Sequence, residues 1–169
     1  MKKPPSEKLE TASGRGLRVL VLQSRFNEAV AAGLAKGALE YLARIGAVAE
    51  LELASGAFEL PLVAQTAAFT GRYDAVVALG AVIKGETDHY DHIARESARG
   101  LMDASLTTGV PIAFGVLTVT KEKHAIARSI PGRHNKGREA AAAAVETALL
   151  LRKLTAGARV RKSAGKGPS

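Results

Sequence analysis

The stretch LRVLVLQSRFNEAVAAGLAKGALEYLARIGAVAELEL, residues 17–53, changes its hydrophobic pattern twice. Leu17 to Gln23 is a short apolar run of strand length, rich in branched side chains. Glu28 to Ile45 then carries a helical pattern, entered through Asn27 as a cap and closed by Gly46. Val48 to Leu53 returns to strand length. Two strands joined by a helix, the first a nearly continuous apolar run, form a right-handed crossover unit, the building block of a parallel sheet covered on both faces.

The same alternation continues through the chain. Ala75 to Leu79 and Pro111 to Leu117 read as two further strands, and Glu59 to Phe69, Asp88 to Thr107, Lys121 to Arg128 and Lys136 to Leu154 as helices. Thr87, Thr120 and Asn135 stand as their caps, and Gly71 and Gly109 close two of them. The pattern predicts a doubly wound, three-layer α/β/α sandwich on a four-stranded parallel sheet. The last helix carries the run Ala140 to Ala144, a smooth small-residue face suited to close packing on another subunit. Residues 17–155 form the predicted domain. Residues 1–16 and 156–169, rich in Gly, Pro, Ser and Lys, are expected to be a flexible leader and a basic disordered tail.

Composition narrows the function. The formal net charge is +8, but the two ends carry +2 and +6, so the region between Leu17 and Leu151 is balanced. A folded nucleic-acid surface is therefore not expected, and only the tails are left for weak, salt-sensitive contacts with polyanions. The chain has no cysteine, which removes disulfides, thiolate metal sites and cysteine nucleophiles and fits a reducing compartment. The start runs into prolines and charges rather than an apolar core, and no apolar stretch approaches the ~20 residues of a membrane span. These features describe a cytoplasmic, soluble protein.

Parallel sheets of this type bind ligands at the carboxyl ends of their strands. Three of the four phenylalanines, Phe26, Phe58 and Phe114, fall in the segments read as lying there. They fit either a platform for a flat ring or a cap on the sheet end. Lys84-Gly85-Glu86-Thr87 precedes a helix start, where backbone amides and the helix dipole favour an anion. The same pattern also serves a purely structural turn, and neither GxxxxGK[ST] nor GxGxxG is present. His89 at that helix start has the chemistry of a proton relay near neutral pH. His92 and Glu96 can share its face, but no third histidine or cysteine stands at metal-ligand spacing, so no metal is expected. Arg128, Arg133, His134 and Lys136 crowd one connection, where arginine can fork onto a phosphate or simply cap a helix.

Taken together, SRFN, SGAFELP, ALGAVIKGETDHYDHI, TGVPIAFGVLT and NKGREAA occur in the order found in lumazine synthases, and the chain resembles that family over about residues 17–154. The resemblance implies a flavodoxin-like fold and a cofactor-free condensation of 5-amino-6-(D-ribitylamino)uracil with 3,4-dihydroxy-2-butanone 4-phosphate. The products are 6,7-dimethyl-8-ribityllumazine, inorganic phosphate and water, in the penultimate step of riboflavin biosynthesis. It further implies that Phe26 stacks on the pyrimidine, that Ala57, Phe58 and Glu59 hold the ribityl side, and that Ala81, Val82 and Ile83 offer backbone hydrogen bonds to the ring. Gly85, Glu86, Thr87 and Arg128 are implied to bind phosphate with Lys136 nearby, His89 to transfer protons, and Phe114 to come from an adjacent subunit. The assembly implied is a homopentamer at minimum, with a sixty-subunit icosahedral shell as the larger form and riboflavin synthase as a partner.

This chain departs from the common pattern at Ser55, where proline is frequent, at His92, where an aromatic residue is frequent, and in the loop Pro131-Gly132-Arg133-His134. That loop, with Pro4-Pro5, bears on shell formation in the family. Two rivals share the pocket chemistry: an archaeal-type riboflavin synthase, and a non-catalytic flavin or lumazine binder. The phosphate set speaks against the first, His89 with Arg128 against the second.

Overall fold

The computed structural model describes residues 13–164, with side chains to residue 156. Its elements are β1 (Arg18–Ser24), α1 (Glu28–Arg44), β2 (Val48–Ala54), α2 (Leu60–Phe69), β3 (Ala75–Ile83), α3 (His89–Thr108), β4 (Ile112–Val119), α4 (Glu122–Ser129) and α5 (Lys136–Ala164). The four strands form one parallel sheet in the order β2-β1-β3-β4. Helices α1 and α5 cover one face together with α4, and α2 and α3 cover the other. The result is the flavodoxin-like three-layer α/β/α sandwich that the alternation implied.

Strand β1 shows why its sequence reads as one apolar run. Val19 and Val21 enter the core under α1 and α5, while Leu20 and Leu22 enter the core under α2 and α3, so both faces are dry. Leu34 and Leu42 of α1 are fully buried against the first face. Truncation of either to alanine would cost about 2–5 kcal/mol. Gly46, Gly71 and Gly109 follow α1, α2 and α3 with φ of 79°, 68° and 69°, the left-handed positions that end helices.

Several boundaries differ from the sequence reading. Strand β3 runs on to Ile83, with Gly80 paired to Val116 of β4, and glycine stands there because a Cβ would lie 2.6 Å from Ser24 Oγ on the neighbouring strand. Helix α2 begins at Leu60, one residue after Glu59. Thr87 and Thr120 do not cap: Asp88 and Lys121 occupy those positions, and neither contributes a side-chain cap bond. Asn135 does cap α5, its Oδ1 accepting the Arg138 N–H at 3.1 Å. Most of the alanine face of α5 packs within this chain, while Ala143 is exposed beside β4. Ala140, Ala141, Ala142, Ala144 and Ala148 are buried in this chain's own core against α1, where small side chains let two helices approach.

The ends also differ. Gly14 N–H donates to Ile45 O at 2.9 Å and Arg152 Nη2 donates to Gly16 O at 3.0 Å, so the fold begins ahead of Leu17. Helix α5 continues to Ala164, ten residues past Leu154. Residues 1–12 and 165–169, expected to be flexible, lie outside the described residues.

Candidate active site

In the order β2-β1-β3-β4, the chain leaves β1 towards one side and returns to β3 on the other, so a crevice opens beyond their carboxyl ends. A cleft of about 630 Å³ occupies that place. The turn after β1 supplies Phe26 and Asn27, the turn after β2 supplies Gly56 to Glu59, the end of β3 supplies Ala81 to Ile83, and α3 supplies His89, His92 and Ile93. Phe26 is 71% exposed and Phe58 56%, which a ring capping the sheet would not be. These two side chains form an open apolar platform. Gly56 makes room for it, since a Cβ there would lie 2.9 Å from Glu59 Oε2 and 3.4 Å from the Phe26 ring.

The polar edge of this cleft follows from strand geometry. Lys84 N–H donates to Val119 O, and main-chain groups alternate in direction along a strand, so Val82 faces β4. The N–H and C=O of Ala81 and Ile83 then face the side where β1 has ended at Ser24. Asn27 Nδ2 donates to Ala81 O at 2.8 Å, and the N–H and C=O of Ile83 are the donor and acceptor pair facing the cleft beyond the last β1 pairing. Of the three residues expected to address a ring, the backbone of Val82 is the one turned away.

A second cleft of about 480 Å³ runs along β4, lined by Phe114 to Val119, Arg128 of α4, and Lys136, Glu139, Ala140 and Ala143 of α5. Lys136 Nζ pairs with Glu139 Oε2 at 2.5 Å, and Arg128 Nη1 donates to His124 O at 2.9 Å on its own helix. Arginine here both ties down a carbonyl of α4 and keeps its other guanidinium nitrogens for the cleft. Asn135 holds the connection between these cations. Its Nδ2 donates to Gly33 O, Ser129 O and Ile130 O at 3.0, 2.8 and 3.1 Å, locking the turn between α4 and α5 onto α1.

One chain therefore brings Phe26, Ala57, Phe58, Glu59, Ala81, Val82, Ile83 and His89 together, and holds Phe114, Arg128 and Lys136 apart from them. Phe114 is the third residue of β4 rather than part of its carboxyl rim, because the strand extends two residues beyond Leu117. Gly85, Glu86 and Thr87 lie exposed in the loop between β3 and α3 and line neither cleft. Arg133 and His134 are exposed and likewise outside both. Glu96 is committed elsewhere: the Arg99 side chain bonds to it and holds its carboxyl below the usual range. Among the described residues, no three His, Asp or Glu side chains gather as a metal would need. Sequence reasoning missed Asn27, Gly56, Ile93 and Glu139 as site residues; the Lys136/Glu139 spacing of i,i+3 was the available signal for the last.

Fold and clefts define a flavodoxin-like α/β protein that presents an aromatic platform and an imidazole at its topological switch point, with a cationic cleft on a second edge. Comparison with known proteins makes the definition specific. Residues 16–152 match the family described as 6,7-dimethyl-8-ribityllumazine synthase. The chain is 49% identical over 140 residues to 6,7-dimethyl-8-ribityllumazine synthase 1 of Caulobacter vibrioides, covering 81% of this chain and 92% of that protein. It is 49% identical over 143 residues to the Thermococcus gammatolerans enzyme of the same name, covering 83% and 92%, and 44% over 147 residues to that of Chlorobium chlorochromatii, covering 85% and 95%. The chain belongs to the 6,7-dimethyl-8-ribityllumazine synthase family, a family of riboflavin-biosynthesis enzymes.

Proposed function

We propose that this chain condenses 5-amino-6-(D-ribitylamino)uracil with 3,4-dihydroxy-2-butanone 4-phosphate, releasing 6,7-dimethyl-8-ribityllumazine, inorganic phosphate and water. The observation that carries this reading is the switch-point cleft, where an open aromatic platform, a main-chain donor and acceptor pair and His89 converge. Phe26 stacks on the pyrimidine, the N–H and C=O of Ile83 meet its polar edge, and Ala57, Phe58 and Glu59 receive the ribityl chain. His89 moves protons as the amine condenses with the ketone, as phosphate leaves and as the ring closes. No cofactor is needed, because the amine is already a nucleophile and phosphate a competent leaving group. Holding the two substrates together can supply roughly 7–11 kcal/mol in ideal cases, and a histidine relay typically ~10²- to 10⁴-fold.

Arg128 and Lys136 supply charge for the phosphate, joined by Gly85, Glu86 and Thr87. Their separation from the switch-point cleft within one chain supports a site completed by a neighbouring copy, whose β4 edge brings Phe114 and the cations to this chain's His89. Exposed Leu62, Phe69, Met102 and Leu106 on α2 and α3, and Leu51 and Leu53 on β2, supply apolar surface for such contacts. The assembly is a homopentamer at minimum, with an icosahedral sixty-subunit form as its larger alternative. Residues 17–155 are the catalytic body and the segments around them accessory. Riboflavin synthase is the partner downstream, and the cysteine-free composition supports a cytoplasmic site of action.

Mixing the purified protein with both substrates, and following lumazine absorbance and phosphate release together, tests the reading. Matched formation of both products is expected. If neither forms while 6,7-dimethyl-8-ribityllumazine still binds, the cleft is a carrier site.

A further inference from the structure

We propose that Asn27 is a positioning residue of the ring site, setting the distance between the Phe26 platform and the peptide edge that reads the ring. The inference rests on the functional reading above and extends it to a residue that neither the motif nor the helix-cap pattern explains. Asn27 stands where a cap for α1 belongs, yet its side chain makes no cap bond. It is the one described non-glycine residue with positive φ, at 53°, a left-handed conformation that asparagine tolerates better than other side chains.

That conformation turns the amide across the crevice, where Nδ2 donates to Ala81 O at 2.8 Å, 54 residues away in sequence. The bond therefore spans the switch point itself, from the turn after β1 to the end of β3. It has two consequences for a ligand. Phe26 is the adjacent residue, so the height of its ring over β3 is fixed by the Asn27 backbone and the span of the amide. One lone pair of the Ala81 carbonyl is also taken, and the N–H and C=O of Ile83, a donor and an acceptor on the same side, form the reading edge. A flat heterocycle bearing an adjacent donor and acceptor, as a lactam or aminopyrimidine edge does, can then stack and hydrogen-bond at once. Without the amide, the Ala81 carbonyl becomes a competing acceptor and the platform loses its tether.

Two variants separate the amide from the backbone conformation. Asn27→Gly keeps access to positive φ and removes the donor. Asn27→Asp keeps the shape and sets a carboxylate against the Ala81 carbonyl. Binding of 6,7-dimethyl-8-ribityllumazine to the full-length assembled protein is followed by ligand fluorescence, with inorganic phosphate titrated separately. Both variants are expected to weaken lumazine binding about tenfold, because the platform loses its tether and the Ala81 carbonyl competes for the ring's donor. They are also expected to reduce the quenching of bound lumazine by the stacked ring, while phosphate affinity stays at the wild-type value. Wild-type affinity and quenching in Asn27→Gly overturn the proposal, and so does an equal loss of lumazine and phosphate binding, which marks a general structural defect. If the wild-type protein neither binds nor makes lumazine, the functional reading falls and this inference with it.

Discussion

Replacing Asn135 by alanine tests whether the cationic cleft is held by a single buried amide. The side chain is 1% exposed and makes four contacts: Nδ2 to three carbonyls, and Oδ1 from the Arg138 N–H. Two amide hydrogens shared among three carbonyls count as two full bonds, and the cap as a third. At about 1 kcal/mol net each, the loss is about 3 kcal/mol. For a domain of this size each kcal/mol moves Tm by about 2–4 °C, so the midpoint falls by about 6–12 °C. Calorimetry or circular dichroism at matched protein concentration reads this, concentration being fixed because assembly adds its own stabilisation. Asn135→Asp is the decisive companion. It fills the same space, which matters because a Cβ on Gly37 would collide with the Asn135 amide, and it retains the acceptor for Arg138. It nevertheless faces three carbonyl oxygens with a carboxylate, so its loss should equal or exceed that of alanine. An Asn135→Asp protein within about 0.5 kcal/mol of wild type would refute the donor argument and leave packing as the explanation.

His89→Ala should lower kcat by about 10²- to 10⁴-fold with lumazine affinity little changed, as read by steady-state kinetics and direct titration; unaltered turnover removes His89 from the mechanism. Arg128→Ala should raise KM for the phosphorylated ketone about tenfold or more, and Arg128→Lys should recover only part of it, since lysine lacks the guanidinium fork. Ser24 Oγ is buried and has no hydrogen-bond partner among the described residues, so Ser24→Ala should be neutral or stabilising in denaturant titration. Gly80→Ala should cost about 1–3 kcal/mol and less in the Ser24→Ala background, because the added methyl meets that hydroxyl; strict additivity would contradict the contact. The Glu50 carboxyl is held below its usual range, chiefly by the Tyr73 hydroxyl at 2.7 Å and also by Arg18 and Arg72. A lowered carboxylate stabilises the fold above its unfolded value of about 4.3, and that contribution disappears as pH falls through the lowered folded value. Tm measured against pH should therefore fall on the acid side less steeply in Glu50→Gln than in wild type.

The alternation of apolar runs and helical patterns made the sheet and its covering legible because both faces of β1 and β3 are buried, which writes continuous apolar runs into the sequence. The end of β3 was not legible. The apolar run is interrupted at Gly80, yet pairing with β4 continues through it to Ile83, and the residue is glycine because the neighbouring Ser24 leaves no room for a side chain. The alanines of α5 signal close approach without saying to what, and the partner is α1 of the same chain. Phe26, Phe58 and His89 could be brought together from the sequence because they follow strands at the end where parallel sheets of this type open a crevice, and they line one cleft. Asn27 and Gly56 escaped notice because their roles exist only across strands: one reaches β3 from the turn after β1, the other yields space to a ring from a different turn. The separation of Arg128 and Lys136 from His89 is a property of three-dimensional placement that no local spacing records.

That separation has a genetic consequence. If each site takes its aromatic half from one chain and its cationic half from the next, two defective alleles damaged in different halves can repair one another. Chains carrying His89→Ala and chains carrying Arg128→Ala, each impaired alone, would on co-assembly in equal amounts regenerate intact pairings at roughly a quarter of the junctions of a closed ring. Two alleles damaged in the same half would give none.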